Sequence, residues 1–331
     1  MGLNEYRGVL VFAEQMDGKL SRVSLELLGK GRDLAGVLDV EVAAILLGSQ
    51  VKSLAQELIC YGADKVLLAD DPKLVHYQTG TYASVINQQV IEAKPEIFLI
   101  GATDIGKDLA PRVARRIGTG LTADCTDLTI DKEKRLLLQT KPGYGGRMMF
   151  TFICPEHRPQ MATVRSGVMQ ASTRDSSRKG KIINVPVQIE EKDMTVKTLK
   201  RVKEAKQGVD LEEARIIVAG GKGVGGAEKF SLIHELADIL GAGVGATRDV
   251  VDAGWTSGGH MIGQTGKVVK PELYIACGIS GAVQHVSGIW DSKTIVAINT
   301  DPNTEIFKIA DFGIVGDLHE VLPALIEGIK R

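Results

Sequence analysis

Short apolar runs alternate with helical patterns through the first part of the chain. The alternation predicts strands at 9–12, 42–47, 65–69 and 97–100, with helices at 24–29, 51–61, 82–93 and 106–117. Strands that are apolar on both faces and connected by helices are typical of a parallel sheet covered by helices. The chain is therefore predicted to begin with an α/β domain.

The pattern changes after residue 131. Apolar runs at 136–140, 148–153 and 161–164 are joined by turns, one of which, at 142–146, contains three glycines. Closely spaced strands joined by glycine-rich turns favour hairpins rather than crossover connections. We therefore expect an antiparallel extension of the same sheet.

Charged residues dominate the segment 190–213, which is poor in strand formers. A basic patch for nucleic acid is one interpretation, but lysines mixed with acidic residues favour a solvated linker. The segment 215–219 then predicts a buried strand that runs into a glycine loop and a helix at 227–240. These features predict an N-terminal domain over 1–207 and a second domain over 208–331.

Composition limits the classes of partner. The 331 residues include 40 Lys and Arg against 41 Asp and Glu, a net charge of −1 that argues against a nucleic-acid partner. Glycine is abundant at 38 residues, whereas aromatic residues make up only 5%. That combination favours backbone brought close to a ligand over an aromatic-lined pocket.

The cysteines and histidines show no metal-ligand spacing. Cys60, Cys125, Cys154 and Cys277 are scattered without a CxxC pair, and no HxxxH or HExxH pattern occurs. We expect reduced, mostly buried thiols and no metal site. The absence of a signal-peptide pattern and of an apolar run near 18 residues predicts a cytoplasmic chain without a membrane span.

The glycine loop after the 215–219 strand matches the pattern GxGxxG over 221–226. Glycine allows backbone N–H groups and a helix N-terminus to approach a pyrophosphate, and Lys222 adds a positive charge there. Such loops also serve as plain strand-to-helix turns. The acidic ribose partner of standard NAD sites is not clearly present, because Asp238 falls within the predicted helix and Asp249 follows an arginine.

Polar residues lie beside several further predicted strands: 247–249, 280–285, Asn299 and Asp317 at strand ends, and 263–267 just before the strand at 274–276. The carboxyl ends of parallel strands meet at one edge of a sheet, where α/β folds bind ligands. Five such strand ends within about 100 residues favour a dinucleotide-sized ligand.

The segments 250–255, 263–267, 271–276, 278–285 and 299–302 together resemble the α subunit of electron-transfer flavoprotein. Upstream, 101–112 and 118–125 are similar to the first domain of that family, so the resemblance covers nearly the whole chain. It implies an α/β first domain that contacts a β subunit, and a flavodoxin-like, doubly wound second domain that holds FAD in a heterodimer.

The resemblance also implies a set of FAD contacts. Arg248 would lie over the ring system, Thr265 near N5 and His285 close to the C2 carbonyl, while four others hold the pyrophosphate and adenosine end. Many members of the family have arginine where Lys222 stands, and lysine lacks the planar fork of arginine. The implied contacts are Lys222, Thr247, Arg248, Ile262, Gly263, Gln264, Thr265, Ser280, Gly281, Ala282, Val283, Gln284, His285, Asn299, Asp317 and Leu318, with Lys222, Asn299, Asp317 and Leu318 at the adenosine end.

Redox chemistry accounts for three of these residue types, which we interpret as tuning the flavin potential. One-electron reduction places negative charge near the N1–C2 carbonyl region, where a fixed cation such as Arg248, or donors from His285 and Thr265, would stabilise it. The structural alternatives are a salt bridge from Arg248 to Asp249 or Asp252, and a helix-capping or core role for His285.

The resemblance thus predicts an electron carrier rather than a stand-alone enzyme. Its FAD would take electrons from an acyl-CoA or other flavin dehydrogenase, or from an NADH-linked flavin of the β subunit. Some members of the family belong to electron-bifurcating oxidoreductase complexes that also reduce ferredoxin, and the sequence leaves this open. The alternatives are an NAD-dependent dinucleotide-binding enzyme and a heterodimer subunit without a cofactor; Arg248, Thr265 and His285 argue against the latter.

Overall fold

A computed structural model describes residues 3–143, 148–194, 196–200, 211 and 214–330. These residues divide into two compact units, the first ending at Lys200 and the second beginning at Leu211. The domain boundary predicted near residue 208, and with it much of the predicted linker 190–213, lies outside the described residues.

The first unit alternates strands and helices for most of its length. Its helices are α1 (Arg22–Leu38), α2 (Lys52–Cys60), α3 (Thr79–Ala93) and α4 (Asp104–Ile117). Its strands are β1 (Val9–Ala13), β2 (Gln15–Met16), β3 (Lys19–Leu20), β4 (Val42–Gly48), β5 (Lys65–Asp70), β6 (Ile97–Gly101), β7 (Leu121–Cys125), β8 (Asp127–Asp131), β9 (Leu136–Gly143), β10 (Met148–Phe152), β11 (Gln160–Val164) and β12 (Lys181–Asn184).

Seven of these strands form one parallel sheet in the order β12-β5-β4-β1-β6-β11-β7. Every residue of β1, β4 and β6 is buried, and two hydrophobic clusters cover the two faces of the sheet. Uniformly apolar strands behave in this way because helices cover both faces of a parallel sheet. The predicted α/β class and the four predicted N-terminal strands are confirmed.

The antiparallel part differs from the expected extension of the main sheet. Strands β8, β9 and β10 pair only with one another, as a separate three-stranded antiparallel sheet. Strand β11, expected to belong to the hairpins, instead lies parallel between β6 and β7, with all five residues buried. Burial of both of its faces suits an interior parallel strand even though it contains Gln160 and Thr163, whereas β10 is largely exposed. Part of the predicted 142–146 turn lies outside the described residues.

The second unit is a doubly wound parallel sheet. Its strands are β13 (Ile216–Gly220), β14 (Gly243–Ala246), β15 (Leu273–Cys277), β16 (Ile295–Asn299) and β17 (Phe312–Val315), and its helices are α5 (Ser231–Leu240), α6 (Arg248–Asp252), α7 (Val283–Val286) and α8 (Leu318–Lys330). The spatial order β14-β13-β15-β16-β17 corresponds to chain order 2-1-3-4-5. That is the flavodoxin-like order, with its topological switch point between β13 and β15. The predicted flavodoxin-like fold is confirmed.

The remaining general expectations concern thiols and membranes. All four cysteines are free, and three of them are buried while Cys154 is half-buried. Burial raises the pKa of the Cys125 and Cys277 thiols to about 12, so both are protonated near neutral pH. None of the helices in the described ranges is long and apolar enough to cross a membrane.

Candidate functional site

A cavity of about 450 Å³ lies at the carboxyl edge of the second sheet. Loops that follow β13, β14, β15 and β16 form its walls, so it sits at the switch point where doubly wound folds bind ligands. Its walls contain Gly221, Lys222, Gly223, Thr247, Arg248, Asp249, Met261, Ile262, Gly263, Gln264, Thr265, Gly278, Ile279, Ser280, Ala282, Gln284, His285, Asn299 and Thr304.

Glycines bring two of these loops into backbone contact. The Gly221 N–H donates to the Cys277 carbonyl at 2.9 Å, and the Gly223 N–H donates to the Gly278 carbonyl at 3.0 Å. A Cβ atom on Gly221 would lie 2.3 Å from the Gly278 oxygen, and one on Gly223 would lie 2.7 Å from the Gly278 Cα. At least part of the GxGxxG signal therefore serves loop-to-loop packing, which is the structural alternative for that motif.

Most of the predicted contact residues come together in the cavity wall. The four that do not line it are Gly281, Val283, Asp317 and Leu318. Gly281 has φ +85° and packs against the backbone of Ile306, while the Val283 side chain is half exposed on α7. The ligand contacts predicted for all sixteen residues stay predictions.

Structural roles account for Asp317 and Leu318. The Asp317 carboxylate accepts from the His319 N–H at 2.8 Å at the start of α8, and Leu318 is buried in the core. Asn299 combines both roles, since it lines the cavity while its Nδ2 donates to the Ile279 carbonyl at 3.0 Å. The bond from Asn299 ties the strand end of β16 to the loop after β15.

Seven wall residues are not among the predicted contacts. Four of them, Gly221, Gly223, Gly278 and Ile279, lie in segments already singled out from the sequence, and the other three are Asp249, Met261 and Thr304. Asp249 was considered only as a ribose partner or a salt-bridge partner, although it directly follows Thr247 and Arg248. Met261 and Thr304 carried no signal, because an apolar residue and a loop hydroxyl of this kind occur throughout the chain. They reach the cavity through the loops that precede Ile262 and follow Asn299.

Two cations, Lys222 and Arg248, lie on exposed parts of the wall. The Arg248 Nε atom is 3.2 Å from the Asp252 Oδ2 atom, one turn later on α6, and both side chains are more than half exposed. An exposed pair of this kind contributes little to stability because water competes for both partners. The predicted salt-bridge alternative is therefore present, and Arg248 still lines the cavity.

His285 is buried and makes hydrogen bonds through both ring nitrogens. Its Nδ1 atom is 2.9 Å from the Ile262 carbonyl oxygen, and its Nε2 atom is 2.9 Å from the Tyr274 hydroxyl. A carbonyl oxygen can only accept, so Nδ1 carries the proton and donates; Nε2 of the neutral ring then accepts from Tyr274. Burial lowers the pKa of His285 to about 4, so the ring is neutral near pH 7.

The two hydrogen bonds of the His285 ring limit its ability to act as the predicted hydrogen-bond donor to a flavin. The neutral ring has a single N–H, which the Ile262 carbonyl already accepts. A hydrogen bond from His285 to a flavin carbonyl would therefore require breaking the bond to Ile262. The core-histidine alternative describes the observed arrangement, and any fixed positive charge at the cavity near neutral pH comes from Lys222 and Arg248.

The wall offers contacts suited to an anionic ligand of small-molecule size. Within the described part of the chain, the backbone N–H groups of Ser280 and Ala282 donate to no other group, and both residues line the cavity next to the switch point. Free N–H groups of a tight loop suit phosphate oxygens. The volume lies within the range of small-molecule sites, and apolar Ile262 and Ile279 offer surface for a ring system.

Two family models match the chain. One, described as an electron transfer flavoprotein domain, covers residues 9–190. The other, described as an electron transfer flavoprotein FAD-binding domain, covers residues 210–290 and so includes the loops after β13, β14 and β15. Each match falls on a different one of the two compact units.

Full-length similarity to individual proteins agrees with the family models. Electron transfer flavoprotein subunit alpha of Thermoanaerobacterium thermosaccharolyticum is 55% identical over 329 residues, covering 99% of both chains. The protein of the same name from Megasphaera elsdenii is 50% identical over 333 residues, covering 100% of this chain and 98% of its own. Subunit LctC of lactate dehydrogenase (NAD(+),ferredoxin) from Acetobacterium woodii is 42% identical, covering 98% of this chain and 77% of its own.

The glycine contact yields a stability prediction. We expect Gly221→Ala to lower the free energy of unfolding of the second unit by about 1–3 kcal/mol, because its Cβ would meet backbone that cannot move aside. Gly328→Ala is the matched control, since nothing lies within 4 Å of a Cβ there in α8, and it should raise stability by about 0.5–1 kcal/mol.

Urea unfolding followed by tryptophan fluorescence measures both changes. The two tryptophans of the chain, Trp255 and Trp290, belong to the second unit and report on it selectively. Equal stability of Gly221→Ala and the wild type would show that the close glycine contact is dispensable.

Burial of His285 predicts a pH dependence of stability. The unfolded chain binds a proton near pH 6.5, whereas folded His285 resists protonation down to about pH 4. Stability therefore falls as pH decreases through that window, by about 2 kcal/mol between pH 7.5 and 5 from this residue. The same fluorescence assay on His285→Gln should show a pH dependence smaller by that amount; an identical pH dependence would contradict a buried neutral histidine.

Proposed function

The chain belongs to the electron-transfer flavoprotein α-subunit family, and from that premise we propose that its second unit binds FAD and uses it to carry electrons. The electrons would come from a dehydrogenase or from an NADH-linked flavin in a β subunit, and would leave to a separate redox partner. The chain acts in this proposal as one subunit of a heterodimer rather than as an enzyme by itself.

The cavity at the switch point of the second sheet is the observation that carries this proposal. It combines free backbone N–H groups, apolar wall residues and two cations on loops from four strands. FAD needs this mixture, since its pyrophosphate is anionic and its isoalloxazine ring is largely apolar with polar edges. We propose that the loops after β13 and β15 hold the pyrophosphate, and that Arg248 and the 262–265 segment hold the ring.

The surface position of Arg248 supports its proposed role in setting the flavin potential. Among the described residues, the Arg248 side chain pairs with Asp252 alone, and an exposed pair of this kind lets it lie against a bound ring at little cost. Its guanidinium stays charged at any working pH and stabilises negative charge that reduction brings to the ring. Bound FAD would also exclude water from this contact and thereby strengthen it.

The similarity to LctC favours a second candidate role within the same function. That relative is a subunit of a lactate dehydrogenase whose name includes both NAD(+) and ferredoxin. A chain that is similar over nearly its whole length could serve an electron-bifurcating complex with ferredoxin as one acceptor. Such a complex would hold a further flavin outside this chain.

Flavin content tests the function and separates the two roles. We expect the full chain, purified with its β subunit, to be yellow and to release FAD. Gly263→Ala should remove one FAD per heterodimer, because Gly263 has φ +147° and a Cβ there would lie 2.8 Å from the Gln284 oxygen. Gly258→Ala, with nothing within 4 Å, should keep it.

The number of FAD molecules then decides the role. One per heterodimer fits a simple carrier, whereas two in the wild type and one in Gly263→Ala fit a bifurcating complex. A colourless protein that binds NAD⁺ would instead establish the NAD-dependent enzyme. Asp249 makes that outcome a specific alternative, since it follows the second strand of the sheet and lines the cavity, as the ribose-binding acid of NAD sites does.

Arg248→Ala tests the tuning role. Loss of a charge-assisted hydrogen bond of about 1.5–3 kcal/mol should lower the first one-electron potential of the bound flavin by about 60–130 mV in a potentiometric titration. Arg215→Ala is the matched control, because it removes the same charge from an exposed ion pair with Glu272 at the opposite edge of the sheet. Equal flavin potentials in the two variants would show that Arg248 does not tune the potential of the bound flavin.

A further inference from the structure

We propose that Asp249 is a second residue that sets the potential of the bound flavin, with an effect opposite in sign to that of Arg248. Its acidic side chain opposes the gain of the first electron and holds the flavin potential below the value that Arg248 alone would give. The inference rests on the proposed function, because it assigns a further role within the same FAD site.

Asp249 is the one acidic residue among the described residues that line the cavity. The other charged residues of the wall are Lys222 and Arg248. Like charges repel, so a carboxylate does not help to bind an anionic ligand. An acid in this wall therefore does not serve pyrophosphate binding, and its electrostatic effect on the ring becomes the relevant one.

No described neighbour neutralises the Asp249 side chain. It is exposed, and within the described ranges it forms neither a hydrogen bond nor an ion pair. Arg248 is adjacent in sequence, but successive residues of a helix do not face each other, whereas residues four apart do. Arg248 accordingly pairs with Asp252, which does not line the cavity. A bound ring would thus meet the carboxylate of Asp249 as well as the guanidinium of Arg248.

Helix stabilisation is the alternative role for Asp249. It is the second residue of α6, and an acid in the first turn interacts favourably with the positive end of a helix. Helix α6 has only five residues, and the Asp249 side chain accepts no hydrogen bond from the N–H groups of the described helix. Helix stabilisation predicts a change in the stability of the second unit and no change in the flavin potential, so the two roles can be separated.

Opposed charges suit a carrier that must also release its electrons. A cation beside the ring makes the first electron easier to accept, and the same attraction makes that electron harder to pass on. A carboxylate in the same wall offsets part of this attraction without removing the cation that helps to bind the anionic cofactor. We therefore expect the potential to reflect the difference between the effects of Arg248 and Asp249.

Potentiometric titration of the full chain in complex with its β subunit measures this effect. We expect Asp249→Asn to favour the flavin that has gained one electron over the oxidised flavin by about three- to fivefold, which raises the first one-electron potential by about 30–40 mV. The sign is opposite to that expected for Arg248→Ala. Where the heterodimer holds two FAD molecules, the potential that disappears in Gly263→Ala is the one to follow.

Two control variants test whether charge at this position is the cause. Asp249→Glu keeps the acidic group and should have the wild-type potential. Asp291→Asn removes an exposed acid that has no described partner and precedes β16, at the edge of the sheet opposite the cavity, so it should also match the wild type. A shift in either control as large as that in Asp249→Asn would contradict an effect of charge in the cavity wall.

A double variant distinguishes a direct effect on the flavin from an effect through Arg248. If Asp249 acts on the ring by its own charge, Asp249→Asn should raise the potential by a similar amount in the Arg248→Ala background. No shift in that background would show that Asp249 acts only by orienting Arg248, and would overturn the proposal. The shift should also be larger at about 10 mM than at about 1 M salt, because salt screens exposed charges.

Flavin content keeps this proposal separate from the proposed function. A wild-type complex without FAD, with NAD⁺ binding that is weaker in Asp249→Asn, contradicts FAD binding and gives Asp249 the role of a ribose-binding acid. A normal FAD content with equal potentials of Asp249→Asn and the wild type contradicts only the tuning role. Loss of FAD from Asp249→Asn would make Asp249 a binding residue and would likewise overturn the tuning role.

Discussion

Backbone contact between two glycine loops is the constraint on which the second unit depends. The loop after β13 and the loop after β15 meet at the switch point, with Gly221 and Gly223 against Gly278 at distances that leave no room for a side chain. Because these loops diverge toward helices on opposite faces of the sheet, their contact closes the floor of the cavity. Polar groups from neighbouring strand ends can then surround one ligand instead of lying on separate loops.

Burial divides the polar side chains of this site into two classes with different electrostatics. Lys222 and Arg248 lie on the solvent side of the cavity wall, where water stabilises a cation until a ligand arrives. His285 lies beneath the wall, where the cost of placing charge in the interior keeps it neutral. Positive charge is thus available to an anionic ligand, while the histidine is free to hold the backbone.

Periodicity was sufficient for the α/β class of both units, because uniformly apolar strands that alternate with helices suit few other arrangements. The flavodoxin-like order of the second unit was instead implied by the family resemblance. The place of β11 was not predictable in this way. A short strand pattern next to hairpins looks the same in sequence whether the strand pairs with them or joins the main sheet, and the pairing with β6 and β7 decides. The expectation that the antiparallel strands extend the main sheet was wrong for the same reason.

In the candidate site, the positions of several residues could be predicted from the sequence, whereas their hydrogen-bond partners could not. Polar residues after parallel strands must meet at one edge, so the gathering of Thr247 and Asn299 follows from the pattern alone. Thr265 reaches the cavity through the long connection between α6 and β15. The direction of each hydrogen bond does not, since it depends on contacts between residues far apart in sequence. The ring of His285 contacts the Ile262 carbonyl and the Tyr274 hydroxyl, and sequence reasoning treats Tyr274 only as part of a core strand. A motif thus locates a residue in the wall of a site, while the buried neighbours of that residue decide whether it faces the ligand or the protein.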